Sequence, residues 1–244
     1  MRNVRMDICY DGSKYKGWQR LPGSQNTIQE KLEKTLSRIL DEDIAVIASG
    51  RTDAGTHAQA QVVNFHCNSS MPTEEIMQKL RMYLPEDIGI YSCRNVSPRF
   101  HARLNALRKT YRYRIWNSNN PCVFDRKYVY VDPSKLDIGK MCIAAGYFLG
   151  THDFCAFCGN KNMKKSTVRT IFSLDIFQQN DEIVITVTGN GFLQHMVRII
   201  VGTLLEVGKG ERCEHSIPDL FGARRELAGA AVPACGLTLM EVEY

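Results

Sequence analysis

Val4, Met6, Ile8 and Tyr10 alternate with polar residues up to Asp11-Gly12, the period of a half-buried strand. Thr27-Ile28-Gln29-Glu30 has the form of a capping box, and Ile28, Leu32, Leu36, Ile39 and Leu40 then recur at helical spacing, so a helix is predicted from Ile28. Residues 44–48 and 61–65 read as strands around a loop at 49–60. Thr73 is placed to cap a helix carrying Ile76, Leu80 and Tyr83, and 88–93 reads as a strand. The order is β-α-β-β-α-β.

Beyond a polar bridge the same order returns. Residues 110–116 are strand-like, and Asp132-Pro133 resembles an N-cap followed by proline at the first helical position, which predicts a helix to about Leu149. Residues 170–177 and 182–188 form a predicted hairpin across Gln179-Asn180-Asp181. A helix at 192–207 closed by Gly208, a short helix near 216–223 and a strand at 237–242 complete the half. The expected fold class is therefore α+β: two similar β-α-β-β-α-β halves, 1–105 and 106–244, with antiparallel sheets side by side and a central cleft. Split β-α-β units of this kind occur in several nucleic-acid binders, although fold alone does not establish function.

Composition narrows the class further. At 244 residues, 44% hydrophobic and 23% charged, the chain lies in the ordinary globular range, which excludes disorder, collagen and coiled coil. Its most apolar stretch, 196–207, includes Arg198 and falls far short of the roughly 20 residues of a membrane span. The first residues carry no apolar signal core, so a soluble cytoplasmic protein is expected. Most of the nine cysteines are then expected to be reduced, buried small hydrophobes. The one metal-like spacing, His152-x-x-Cys155-x-x-Cys158, lacks a second pair to complete a zinc set, and packing is the favoured reading.

The net charge of +5 conceals a local concentration. Residues 88–124 contain no Asp or Glu but hold Arg94, Arg99, Arg103, Arg108, Lys109, Arg112 and Arg114, interleaved with Tyr91, Phe100, Tyr111, Tyr113 and Trp116. Cations that track phosphate, beside rings that stack on unpaired bases, compose an RNA surface; a solvated basic strand is the plainer alternative. Lys14, Lys16, Arg20, Lys161, Lys164, Lys165 and Arg169, in loop-like segments, would extend such a surface.

Two segments carry candidate chemistry. Residues 49–58 are dense in small residues and hold Arg51, Asp53 and His57, so a bulky substrate could approach Asp53 closely. A loop Asp is otherwise most often a turn former, and a His a structural hydrogen-bonder. Gly189-Asn190-Gly191 begins like a dinucleotide fingerprint, but Gln194 stands at the third glycine position and no acidic residue lies about 20 positions on at the end of a second strand, which argues against a nucleotide cofactor. Arg198 lies on an otherwise apolar helix. A buried arginine needs an anionic partner, and Asp53 is the choice.

The strings at 10–19, 50–58, 100–103, 111–113, 152–154, 191–202 and 236–239 resemble, in order, those of the tRNA pseudouridine synthase A family, over nearly the whole chain. Departures are Thr56 where valine is frequent, Gln194 where a base is frequent, and Cys155 where a small polar residue is common. The resemblance implies the pseudouridine synthase fold and isomerisation of uridine at tRNA positions 38 to 40, in the anticodon stem-loop. It implies Asp53 as the catalytic aspartate and Arg51 as the arginine that enters the RNA stack when the base is extruded. Tyr111 becomes the ring that stacks on the flipped uracil, and Arg198 the partner of Asp53. His57 is expected beside the substrate, and Arg103, Arg108, Lys109, Arg112 and Lys14 on the RNA backbone. Neither metal nor organic cofactor is expected; the expected partners are tRNA and a second copy of the chain in a homodimer. An RNA-binding protein without catalysis and a metal-dependent nuclease are the rivals; Asp53 within an intact loop argues against the first, and the lack of a carboxylate cluster against the second.

Overall fold

The computed structural model describes residues 1–244 apart from Pro22, Ser24, Gln25 and Lys161. Lys161, expected to extend the basic surface, thus lies outside the described residues. The chain divides into two compact units, Met1–Leu107 with Thr238–Tyr244, and Arg108–Leu237. Among the described residues no helix is long and apolar enough to cross a membrane.

The first unit follows the expected order: β1 (Arg2–Tyr10), α1 (Ile28–Leu40), β2 (Val46–Ala48), β3 (His57–Cys67), α2 (Thr73–Tyr83) and β4 (Ile88–Val96). β1 is antiparallel to both β3 and β4, β2 pairs with β3, and β10 (Leu237–Glu243) adds in parallel to β3. Val4, Met6 and Ile8 of β1 and Val63 and Phe65 of β3 are fully buried, as are Leu32, Leu36, Ile76 and Leu80 of the two helices, which gives this unit its apolar core. Thr27 caps α1 by accepting the Glu30 N–H. Pro72, not Thr73, is the N-cap of α2; Thr73 is its first helical residue and makes no cap bond.

β3 is longer than its pattern indicated. Residues 57–60 look like loop, yet Ala58 pairs with Tyr10 of β1 and with Leu239 of β10, so tertiary pairing draws these small residues into a central strand. His57 and Ala58 are both buried, so the start of the strand lacks the alternation that would have announced it.

In the second unit β5 (Arg108–Trp116), β9 (Glu182–Gly189), β8 (Val168–Gln179) and β7 (Gly150–Asp153) form a consecutive antiparallel sheet, and β6 (Tyr130–Val131) pairs with β5. The β8–β9 hairpin turns at Asn180, which takes a left-handed φ of 53°. α3 (Ile138–Gly146) starts later than expected, because Asp137 rather than Asp132 caps it by accepting the Lys140 N–H at 3.0 Å. Asp132 is instead buried, accepts the Ser134 N–H and pairs with Lys209 at 2.9 Å, just beyond α4 (Met196–Gly208). α4 also starts later, at Met196 rather than Phe192: His195 has φ 60°, outside the right-handed helical region. Near the expected short helix lies a 3-10 helix, Glu214–Leu220.

Candidate active site

Asp53 sits half-buried on the loop between β2 and β3, and the backbone on either side of it is pinned. The Trp18 N–H donates to the Thr52 carbonyl at 3.0 Å, and the Thr56 N–H closes a turn onto the Asp53 carbonyl at 3.1 Å. Thr52 is held from below by the Tyr10 hydroxyl, 2.8 Å from its Oγ1. Burial raises the Tyr10 pKa to about 12 against the pull of Thr52 and Gln61, so the phenol stays neutral. Ser49 and Gly50 are fixed by Gln61, whose amide accepts from the Ser49 hydroxyl at 2.5 Å and donates to the Gly50 carbonyl at 2.9 Å.

These bonds exist because two glycines allow the 10–19 segment to press against the loop. A Cβ on Gly12 would lie 2.0 Å from the Thr56 carbonyl oxygen. Gly17, at φ 92°, would place one 2.8 Å from the Thr52 oxygen and 3.0 Å from the Ala54 nitrogen. No side chain fits either gap. The sequence offers no local signal for this role beyond the glycines at 12 and 17 in a loop-like run.

His57, at the start of β3, is 3% exposed. Its Nδ1 accepts the Gly12 N–H at 3.1 Å and lies 3.2 Å from the Asp11 carboxylate, so this edge of the ring serves the 11–12 backbone. Arg51 and Lys14 are exposed. Thr56 buries its hydroxyl with no hydrogen-bond partner among the described residues.

In the second unit Tyr111 on β5 is 7% exposed and meets Phe192 edge-to-face, with ring centroids 5.2 Å apart. Gly189 makes room for that ring: a Cβ there would lie 3.1 Å from Phe192 Cζ. Half-buried Arg198 donates from Nε to the Val232 carbonyl at 2.7 Å. The irregular 228–233 segment reaches α4 because Gly202 leaves space for Ala230, whose oxygen a Cβ would approach to 1.9 Å, and because Thr203 Oγ1 accepts the Gly229 N–H.

The basic window is divided by its partners. Arg94, Arg99, Arg103 and Arg108 are exposed, and Arg108 lies over the Phe172 ring, 4.6 Å from its centroid. Lys109 and Arg112 are half-buried. Arg114, in contrast, is clamped by both oxygens of Glu182 at 2.6 and 2.7 Å, with Asp125 at 3.7 Å. A stretch without acids in sequence is therefore not without them in space.

The His152, Cys155 and Cys158 side chains diverge. His152 stacks on Phe221 at 4.0 Å, Cys155 Sγ donates to the Ala223 carbonyl, and Cys158 Sγ to that of Asn160. No group of three or more His, Cys, Asp or Glu suited to a metal occurs among the described residues.

A family model described as tRNA pseudouridine synthase matches residues 8–105 and 144–244. The chain is 42% identical to a tRNA pseudouridine synthase A 2 of Bacillus cereus and 44% identical to a tRNA pseudouridine synthase A 1 of Clostridium tetani, each match covering 100% of both chains. The chain belongs to the tRNA pseudouridine synthase family. Its α+β architecture, with a large and mostly antiparallel set of strands, agrees with the pseudouridine synthase fold expected from the sequence. The spans matched by the family model include the Asp53 loop and α4. Tyr111 falls between them, within the reach of the full-length relatives alone.

Proposed function

We propose that this chain isomerises uridine to pseudouridine in the anticodon stem-loop of tRNA, at positions 38 to 40. The observation that carries the proposal is full-length similarity to proteins named tRNA pseudouridine synthase A, with Asp53 on a loop whose backbone is pinned on both sides. In the reaction the N1–C1′ bond breaks, the detached uracil turns while bound, and C5 bonds to C1′. N1 gains a proton and C5 loses one to solvent. Oxidation state is unchanged overall, so the balance requires no electron acceptor or donor, and neither metal nor organic cofactor enters the proposal.

Asp53 supplies the carboxylate on which the rearrangement depends, as nucleophile or base. Arg198 is assigned as its counter-charge, the role the family resemblance implies. A target base within a stem must leave the stack: Arg51 fills the gap, and Tyr111, stiffened by Phe192, offers the extruded ring a face. His57 contributes by holding Gly12 and, through it, the loop. Arg103, Arg108, Lys109, Arg112 and Lys14 contact the RNA backbone. The enzyme works in the cytoplasm as a homodimer holding one tRNA across both subunits.

The test is tritium release from tRNA labelled at uridine C5, with and without a chelator. Release unaffected by chelator supports the reading. Tight tRNA binding without release would leave an RNA-binding protein in its place.

A further inference from the structure

Two asparagines of the first unit are buried almost completely, Asn3 on β1 at 1% exposure and Asn64 on β3 at 0%. Neither belongs to the reaction. Their amides are spent on each other and on one segment. Asn3 Nδ2 donates to the carbonyls of Ser97 and Phe100 at 3.0 and 2.8 Å, Asn64 Nδ2 donates to Asn3 Oδ1 at 2.9 Å, and Asn64 Oδ1 accepts the Ala102 N–H at 2.9 Å. Two apolar side chains would bury more favourably. What the amides add is direction, since three of these four bonds each fix one backbone group of the 97–105 turn and the fourth ties the two amides together.

The turn is fixed from other sides as well. The Tyr244 hydroxyl donates to the Ala102 carbonyl at 2.7 Å, and its ring lies 5.1 Å from that of Phe100, with the Arg5 guanidinium 4.6 Å from the Tyr244 ring. Within the turn, His101 Nδ1 accepts the N–H groups of Arg103 and Leu104 at 3.2 Å. With its backbone held, the turn exposes Arg99 and Arg103, and neither pairs with a carboxylate among the described residues. Arg114 shows what a structural arginine looks like here, neutralised by Glu182.

We infer that the 97–105 turn is a preformed contact for the tRNA phosphate backbone, with Arg99 and Arg103 as its cations and Asn3, Asn64 and Tyr244 as positioning residues that set where those cations stand. The inference deepens the proposed function and rests on it for the identity of the ligand. Rigid placement matters because two long side chains on a mobile loop would lose much of their binding in ordering entropy.

A mutant cycle on the full chain tests it, reading tRNA dissociation constants against salt and the single-turnover rate at saturating tRNA. Replacing Arg99 and Arg103 together by Ala should weaken binding about tenfold and lower the log–log salt slope by roughly 1.5. Asn64→Leu should weaken binding about fivefold with the saturated rate within about twofold. In the background lacking both arginines, Asn64→Leu should weaken binding no further, because it acts through them. Tyr244→Phe keeps the ring and loses the hydroxyl's bonds to Ala102 and to the Ser49 side chain. It should weaken binding about twofold to threefold, with the same dependence on the arginines, and it carries the test should Asn64→Leu not fold. Effects that multiply undiminished in the double-Ala background, or binding unchanged by removal of both arginines, would overturn the inference. A wild-type chain that binds tRNA but releases no tritium removes the catalytic reading alone; one that does not bind tRNA removes both.

Discussion

Under the proposed function, the Asp53 loop and the basic window at 88–124 solve opposite problems. The loop must hold one carboxylate in one place, and it does so with the neighbouring 10–19 segment: Gly12 and Gly17 permit backbone contact, and Tyr10, Trp18 and Gln61 fasten particular carbonyls and hydroxyls. The window must present charge, and its members range from exposed Arg99 and Arg103 to Arg114, which Glu182 consumes. In the loop, function depends on residues that carry no chemistry. In the window it depends on which cations the fold has left to solvent.

The largest effect that would break this contrast is expected at Gly12. Gly12→Ala must displace the Thr56 backbone, and overpacking of that kind costs about 3 kcal/mol. Melting temperature should fall, and turnover with it. Gly210→Ala is the control: φ is 76°, but nothing lies within 4 Å of the added carbon, so only backbone strain of roughly 1 kcal/mol is expected and turnover should be unchanged. Equal losses of turnover in the two variants would show that close approach to the loop is not what matters.

A smaller effect sharpens the window. Replacing Arg108 and Lys109 by Ala should weaken all tRNAs alike and flatten the salt dependence of binding by roughly 0.7 to 0.9 in slope per lost contact. Arg114→Ala should leave that slope unchanged, since its charge is already met by Glu182. Salt titrations of binding separate the two, and a flattened slope for Arg114→Ala would mean that sequence, not spatial pairing, decides which cations reach RNA.

Thr56→Val is the smallest change and has the opposite sign. The hydroxyl is buried without a hydrogen bond among the described residues, so an isosteric methyl should raise stability by about 1 kcal/mol in chemical unfolding. A destabilised variant would show that the hydroxyl has a partner after all.

Elements with strong periodicity were legible in the sequence: β1 from Val4, Met6, Ile8 and Tyr10, and α1 from Thr27 onward. What escaped depended on residues far away in the chain. His57 and Ala58 look like loop until β10 pairs beside them, some 180 positions later. Asp132-Pro133 looks like a helix start until Lys209 claims the carboxylate. Arg114 reads as free charge because Glu182 lies 68 residues on. Within the candidate site, Asp53 could be chosen only through family resemblance, since the loop's composition alone suits an ordinary turn. The requirement for Gly12 and Gly17 is steric, and sterics between segments leave no trace in local pattern.

The most direct test of the central claim is Asp53→Asn, assayed for tritium release from C5-labelled tRNA alongside tRNA binding. The substitution preserves volume and removes the charge and nucleophilicity. Turnover should vanish while affinity stays within about a fewfold of wild type, because the change removes a group needed in the transition state rather than in binding. Turnover above about a hundredth of wild type, with reversion to Asp by deamidation excluded, would contradict the assignment of Asp53 as the essential group.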